Sequence, residues 1–170
     1  MLQWLISALL CIVLSLFGYI PPAQASVHVY HERPDQTTLR SQQSLRDRND
    51  RSWQAILFKR YRADDGVEEM YLRLVGFPGI VDVDPQKPLF INTGTSLQWK
   101  AIPKLDQATP TLPSNTNQYD IADVINQLQK SIPLTLAVPL QGKAASEIIV
   151  PPYAVQEWRE LAKQRVEILD

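Results

Sequence analysis

The sequence predicts an α+β fold with a largely antiparallel sheet, a strand meander packed by one mid-chain helix and one C-terminal helix. Three observations predict it. Apolar and polar residues alternate through most of residues 27–102, short turn-forming clusters join these runs, and helical periodicity is confined to two late segments.

Residues 27–32 alternate as a strand does, and residues 38–45 form a second, polar extended run that ends at the turn cluster Asp47, Arg48, Asn49, Asp50. The return strand, residues 53–61, sets Trp53, Ala55 and Leu57 on one face and Ile56 and Phe58 on the other. Both faces need cover, so this strand belongs in the middle of the sheet. Ala63, Asp64, Asp65 and Gly66 make a tight turn into residues 68–75, where Met70, Leu72 and Leu74 alternate with Glu69, Tyr71 and Arg73 in a half-buried pattern. Gly76, Phe77, Pro78 and Gly79 break that strand. After a second irregular stretch around Pro85 and Pro88, residues 89–92 and 97–102 read as a hairpin about Thr93, Gly94 and Thr95, the last of six strands in a meander. Residues 103–119 are rich in Pro, Thr, Ser, Asn and Gln without periodicity and read as a long surface loop. Asp120 suits the N-cap of a helix over residues 121–130, whose Ile121, Val124, Ile125 and Leu128 form one stripe. Two short strands, 134–140 and 147–150, flank a turn at Gly142. Pro151 and Pro152 then open a final helix with Val155, Trp158, Leu161, Ala162, Arg165 and Leu169 along one side.

Residues 1–25 read as an export signal. An apolar run from Leu5 to Ile20 is followed by Pro21, Pro22 and the small-x-small triplet Ala23, Gln24, Ala25, which suits signal peptidase. Cleavage is the favoured reading. An uncleaved anchor is the alternative, because Met1 to Trp4 carry no Lys or Arg. Leu10 ahead of Cys11 is too large for a lipoprotein signal. Cleavage after Ala25 leaves one domain, residues 26–170, without cysteine, and hence without disulfides or thiolate metal sites.

Seventeen basic residues stand against eighteen acidic ones, a balance that argues against nucleic acid as a partner. The charges are segregated nonetheless. Residues 26–63 hold eight basic side chains against four acidic ones, and residues 64–84 hold six acids with Arg73 alone opposing them. Arg46, Arg48, Arg51, Arg60 and Arg62 are therefore the candidate partner-binding set, weighed against simple neutralisation across a solvated sheet. His28 and His31 point to opposite faces of a strand and cannot share a metal, and Asp82 and Asp84 lack the spacing of a calcium loop. No nucleophile elbow, phosphate loop or dinucleotide fingerprint is present, so catalysis is the minority reading and neither metal nor cofactor is expected. Trp53, Trp99 and Trp158 lie on amphipathic faces and read first as core; lining one cavity between sheet and helices, they would instead hold a small apolar ligand.

The segments SQQSLRDRNDRSWQAILF (residues 41–58), MYLRLVGFPG (70–79) and IVPPYAVQEWREL (149–161) resemble a family of exported cyanobacterial proteins known only as a domain of unknown function. The motifs are turns, strand edges and a closing helix, and no catalytic residue comes with them. The resemblance implies a setting, the thylakoid lumen or the periplasm. It leads to the expectation of a non-enzymatic accessory or assembly protein docked on the lumenal face of a photosynthetic membrane complex, photosystem II foremost. Contact with the membrane would come only through that partner or an uncleaved signal. A carrier for a small apolar ligand is the alternative.

Overall fold

The computed structural model describes residues 28–33, 36–62, 66, 68–105 and 111–164. The predicted leader at residues 1–25, the turn residues Ala63, Asp64 and Asp65, and Arg165 and Leu169 lie outside the described residues.

The protein is α+β. Its strands are β1 (His28–Arg33), β2 (Gln36–Arg46), β3 (Ser52–Arg62), β4 (Glu68–Gly76), β5 (Leu89–Asn92), β6 (Gln98–Ala101), β7 (Thr116–Asp120), β8 (Leu134–Leu140) and β9 (Lys143–Val150). The helices are α1 (Ala122–Gln127) and α2 (Pro152–Lys163). All strand pairs are antiparallel and fall into two sheets, of order β1-β2-β3-β4-β7 and β6-β5-β8-β9. The first four strands form the expected meander. The next hairpin, β5-β6, leaves it and pairs with β8 instead.

Segment 103–119, expected to be a loop throughout, ends in strand β7, which pairs with β4. Four of its five residues are buried although only Tyr119 has a large ring. Two of its buried polar side chains, Asn117 and Gln118, find partners on other segments. Gln118 accepts from Arg73 Nε and Nη2 at 3.1 and 2.8 Å and donates to the Lys104 carbonyl at 3.2 Å. A strand stabilised by such partners carries no apolar alternation to reveal it. The mid-chain helix is also shorter than its stripe. Arg159 of α2 takes the carbonyls of Leu128 and Gln129 at 2.9 and 2.8 Å, so the chain leaves the helix at Leu128 with its end satisfied from outside. Asp120 lies one residue before the N-cap position and accepts from the Ala122 amide at 3.3 Å.

The sheets are joined on both flanks. On one, Asp47 bridges Ile148 and the Arg48 amide donates to the Glu147 carbonyl at 3.0 Å. On the other, Pro103 bridges Tyr119, with Asp120 N to Ile102 O at 2.9 Å and Lys104 N to Gln118 O at 3.0 Å. The inner faces and both helices share a single apolar core, with Trp53, Leu57, Leu72, Leu136, Ile148 and Trp158 almost wholly removed from water. α2 is held from below by Lys59 of β3, whose buried ammonium donates to the carbonyls of Ala162 and Gln164 at 2.9 and 2.8 Å. No helix among the described residues is long and apolar enough to cross a membrane.

Candidate functional site

The end of the first sheet where β2 turns into β3 and β4 departs gathers most of the predicted arginines, and Asp47 organises it. The β2–β3 turn folds back so that Asp47 Oδ1 accepts from the amides of Asn49 and Arg51, each at 2.9 Å. Oδ2 accepts from Arg51 Nε at 2.7 Å, Trp53 Nε1 at 3.2 Å and Ser146 Oγ of β9 at 2.5 Å. Burial alone would raise this carboxyl, but the Ser146 hydroxyl, the Arg51 amide, the Trp53 indole and the Arg51 guanidinium together hold it far below the usual carboxylate range. Asp50 closes the turn in the left-handed region at φ 60°, a conformation in which Asp is among the better tolerated side chains.

The five arginines are not one surface. Arg51 serves the buried carboxylate, with Nη2 also 3.3 Å from Ser146 Oγ. Arg48 pairs with Glu147 of β9 at 2.6 Å, and Arg46 with Asp50 at 3.0 Å. Arg46 and Arg48 still present 61% and 66% of their side chains to solvent. Arg60 and Arg62 lie at the opposite end of β3, across from Glu69 and Gln36 in register, and both interact within the protein.

Around the same end lies a feature the sequence reading took only as a strand breaker. β4 stops at Gly76, and the turn Phe77, Pro78, Gly79, Ile80 closes with Ile80 N on Phe77 O at 3.2 Å. Gly76 is clamped on both sides of its peptide: its amide donates to Asn115 O at 2.9 Å and its carbonyl accepts from Asn115 Nδ2 at 2.6 Å. A Cβ at Gly76 would collide with Val81 and crowd the Trp53 ring at 3.1 Å, so only glycine lets the turn seat this closely. The braced turn presents Phe77 and Ile80 to water at 61% and 51% exposure. Between it and the β2–β3 hairpin runs a cleft of about 400 Å³ lined by Arg46, Trp53, Gln54, Phe77 and Pro78, among others. The signal was legible: two large apolar residues inside a Gly-Phe-Pro-Gly-Ile turn, where packing gives them nothing to cover.

The family model for a protein of unknown function, DUF3122, matches residues 25–161. The chain belongs to this family. No curated protein and no solved structure matches it. The matched span of this DUF3122 member takes in all nine strands, α1, the braced turn and α2 as far as Leu161.

The other candidates disperse. Trp158 is fully buried, Trp53 is core with only an edge on the Arg46 cleft, and Trp99 lines a different cleft beside α1. Asp82 accepts from Ser114 Oγ at 2.8 Å. Asp84 lies below its ordinary range because of Lys87, at 3.0 Å, and the Gln86 amide. On the outer face of the first sheet burial raises the Tyr71 phenol, reinforced by Glu69 and Asp120, and Lys104 stands 5.5 Å over its ring. His28 and His31 are placed only as backbone of β1. Among the described residues no group of three or more His, Cys, Asp or Glu could hold a metal ion.

Proposed function

We propose that this protein is a non-enzymatic accessory or assembly-type factor, exported to the thylakoid lumen or periplasm, that docks on the exposed face of a photosynthetic membrane complex, photosystem II being the leading candidate. The observation that carries the reading is the tip of the first sheet. A rigid turn offering Phe77 and Ile80 beside the exposed guanidinium of Arg46 has the aromatic-plus-arginine make-up from which protein interfaces draw most of their affinity. Burying two such side chains contributes roughly 1.5–3 kcal/mol each. Because the braces on Gly76 hold the turn before any partner arrives, little of that gain is spent on ordering it. The cyanobacterial setting supports the choice of complex and comes from the resemblance alone.

The test is affinity purification of the tagged protein from mildly solubilised cyanobacterial membranes. Photosystem subunits are expected with the wild type and are expected to be lost, with an unchanged melting temperature, when Phe77→Ser and Ile80→Ser are combined. Arg46→Glu should weaken recovery further. Arg51 is unsuitable for this purpose, because its replacement would expose the Asp47 carboxylate. Recovery of the protein alone would remove the docking reading, and undiminished recovery with the double variant would move the contact elsewhere.

A further inference from the structure

We propose that the cleft between β6 and the end of α1 binds a small amphipathic carboxylate, an apolar chain or ring bearing one acid group, with Lys130 as its counter-ion. This inference is independent of the docking tip, which lies around a different cleft.

The cleft encloses about 350 Å³, within the range of small-molecule sites. Its walls are the Trp99 indole, Leu97, Leu128 and Ile132, and its rim carries Lys130. The walls are fixed before any ligand arrives. Trp99 Nε1 donates to Gln127 Oε1 at 3.0 Å, which ties the strand side to the helix. On the helix side Arg159 spans Leu128 O, Gln129 O and Ser131 Oγ at 2.9, 2.8 and 3.0 Å, which fixes the chain just past the end of α1. Facing the cleft are apolar surface, with Leu97 55% exposed, the polar residues Gln127 and Gln129, and one cation. Among the described residues Lys130, like Lys100, Lys143 and Lys163, has no carboxylate within ion-pair distance, whereas Lys59 and Lys87 each have one and Lys104 has two, but of these only Lys130 lines this cleft. An apolar wall with an unpaired ammonium at its edge complements a ligand of the opposite design, an apolar body with an anionic head. A neutral apolar ligand would leave the ammonium unused, and a cationic one would meet it as a like charge.

The tryptophans make the proposal readable. Trp53 and Trp158 are buried whereas Trp99 is partly open, so a ligand entering this cleft changes the surroundings of Trp99. Decanoate titrated into the purified full chain is expected to give a saturable blue shift of the tryptophan emission, and Trp99→Phe should abolish the shift. By calorimetry Lys130→Gln is expected to weaken decanoate about five- to tenfold and to leave decanol, the uncharged probe, unchanged. Leu97→Asp on the exposed wall should weaken both probes at an unaltered melting temperature. The proposal is overturned by the absence of saturation, by a shift that survives Trp99→Phe, or by decanoate and decanol binding equally with no response to Lys130→Gln.

Discussion

At the scale of single residues, the chemistry of this protein is concentrated in polar groups that the fold buries and then satisfies. Asp47 takes hydrogen bonds from five donors, three of them from the turn it initiates, one from Trp53 of β3 and one from Ser146 of β9. Its side chain is wholly removed from solvent, so the unpaired alternative is costly. Asp47→Asn replaces an acceptor by a donor opposite Arg51, Trp53 and Ser146, and is expected to lower the unfolding free energy by about 3 kcal/mol in a denaturant titration. The sign of the pH dependence follows from the depressed native ionisation. The stabilisation is fully present above the ordinary aspartate range near pH 4 and declines as pH falls below it, because the unfolded chain takes up the proton first. The wild type should therefore lose stability between about pH 5 and pH 2 by more than Asp47→Asn does. Equal acid slopes for the two proteins would mean that other carboxylates dominate.

At the scale of elements, the same device recurs between strands and helices. α2 carries an apolar stripe that the sequence makes plain, Val155, Trp158 and Leu161, and this stripe is buried as its spacing predicts. What the stripe does not reveal is how the helix ends. Lys59 sits on the inner face of β3 and was read from the sequence only as part of a basic run, yet its ammonium is the donor for two carbonyls at the C-terminus of α2 and favours the negative end of the helix dipole. A salt-bridge partner, Glu68 at 3.3 Å, completes its coordination. Lys59→Met keeps the aliphatic stem and removes all three contacts, and should cost about 1–2 kcal/mol. Hydrogen exchange gives the sharper readout, since the last turn of α2 should lose protection while β8 and β9 keep theirs. The same limit explains β7. Strands β3, β4 and β8 were legible because they bury apolar alternation or continuous apolar runs, whereas β7 is held by Arg73, Gln118 and Asn117, whose partners lie far along the chain.

At the scale of the whole molecule, the α+β class and nearly every element were readable, but the division of the strands between two sheets was not. Antiparallel strands carry the same alternation whichever neighbour they choose, and the residues that join the sheets, Asp47 and Pro103, are a buried acid and an imino acid rather than apolar markers. The candidate site divided in the same way: the arginines could be seen as a basic run, but the pairing of Arg46 with Asp50 and of Arg51 with Asp47 depends on how the turn folds back, and that of Arg48 with Glu147 on another sheet. Joining the sheets on both flanks around one core makes alkaline unfolding a measure of the assembled whole. Burial pushes the Tyr119 phenol up to about 12 and raises Tyr71 as well. Tyr119 lies on the inner face at the Pro103 flank and Tyr71 on the outer face of the same sheet, so neither phenol ionises readily while the flank is closed. A group whose native ionisation is raised stabilises fully below its unfolded value and loses that contribution as pH climbs toward the native one. Stability should therefore be flat up to about pH 10, the ordinary tyrosine range, and fall from there to about 12. Tyrosinate absorbance from Tyr71 and Tyr119 should rise only in a late step, as the near-ultraviolet circular dichroism of the core collapses. A single early step, with the dichroism intact, would mean that the Pro103 flank opens without unfolding the core and that the two sheets are not one cooperative unit.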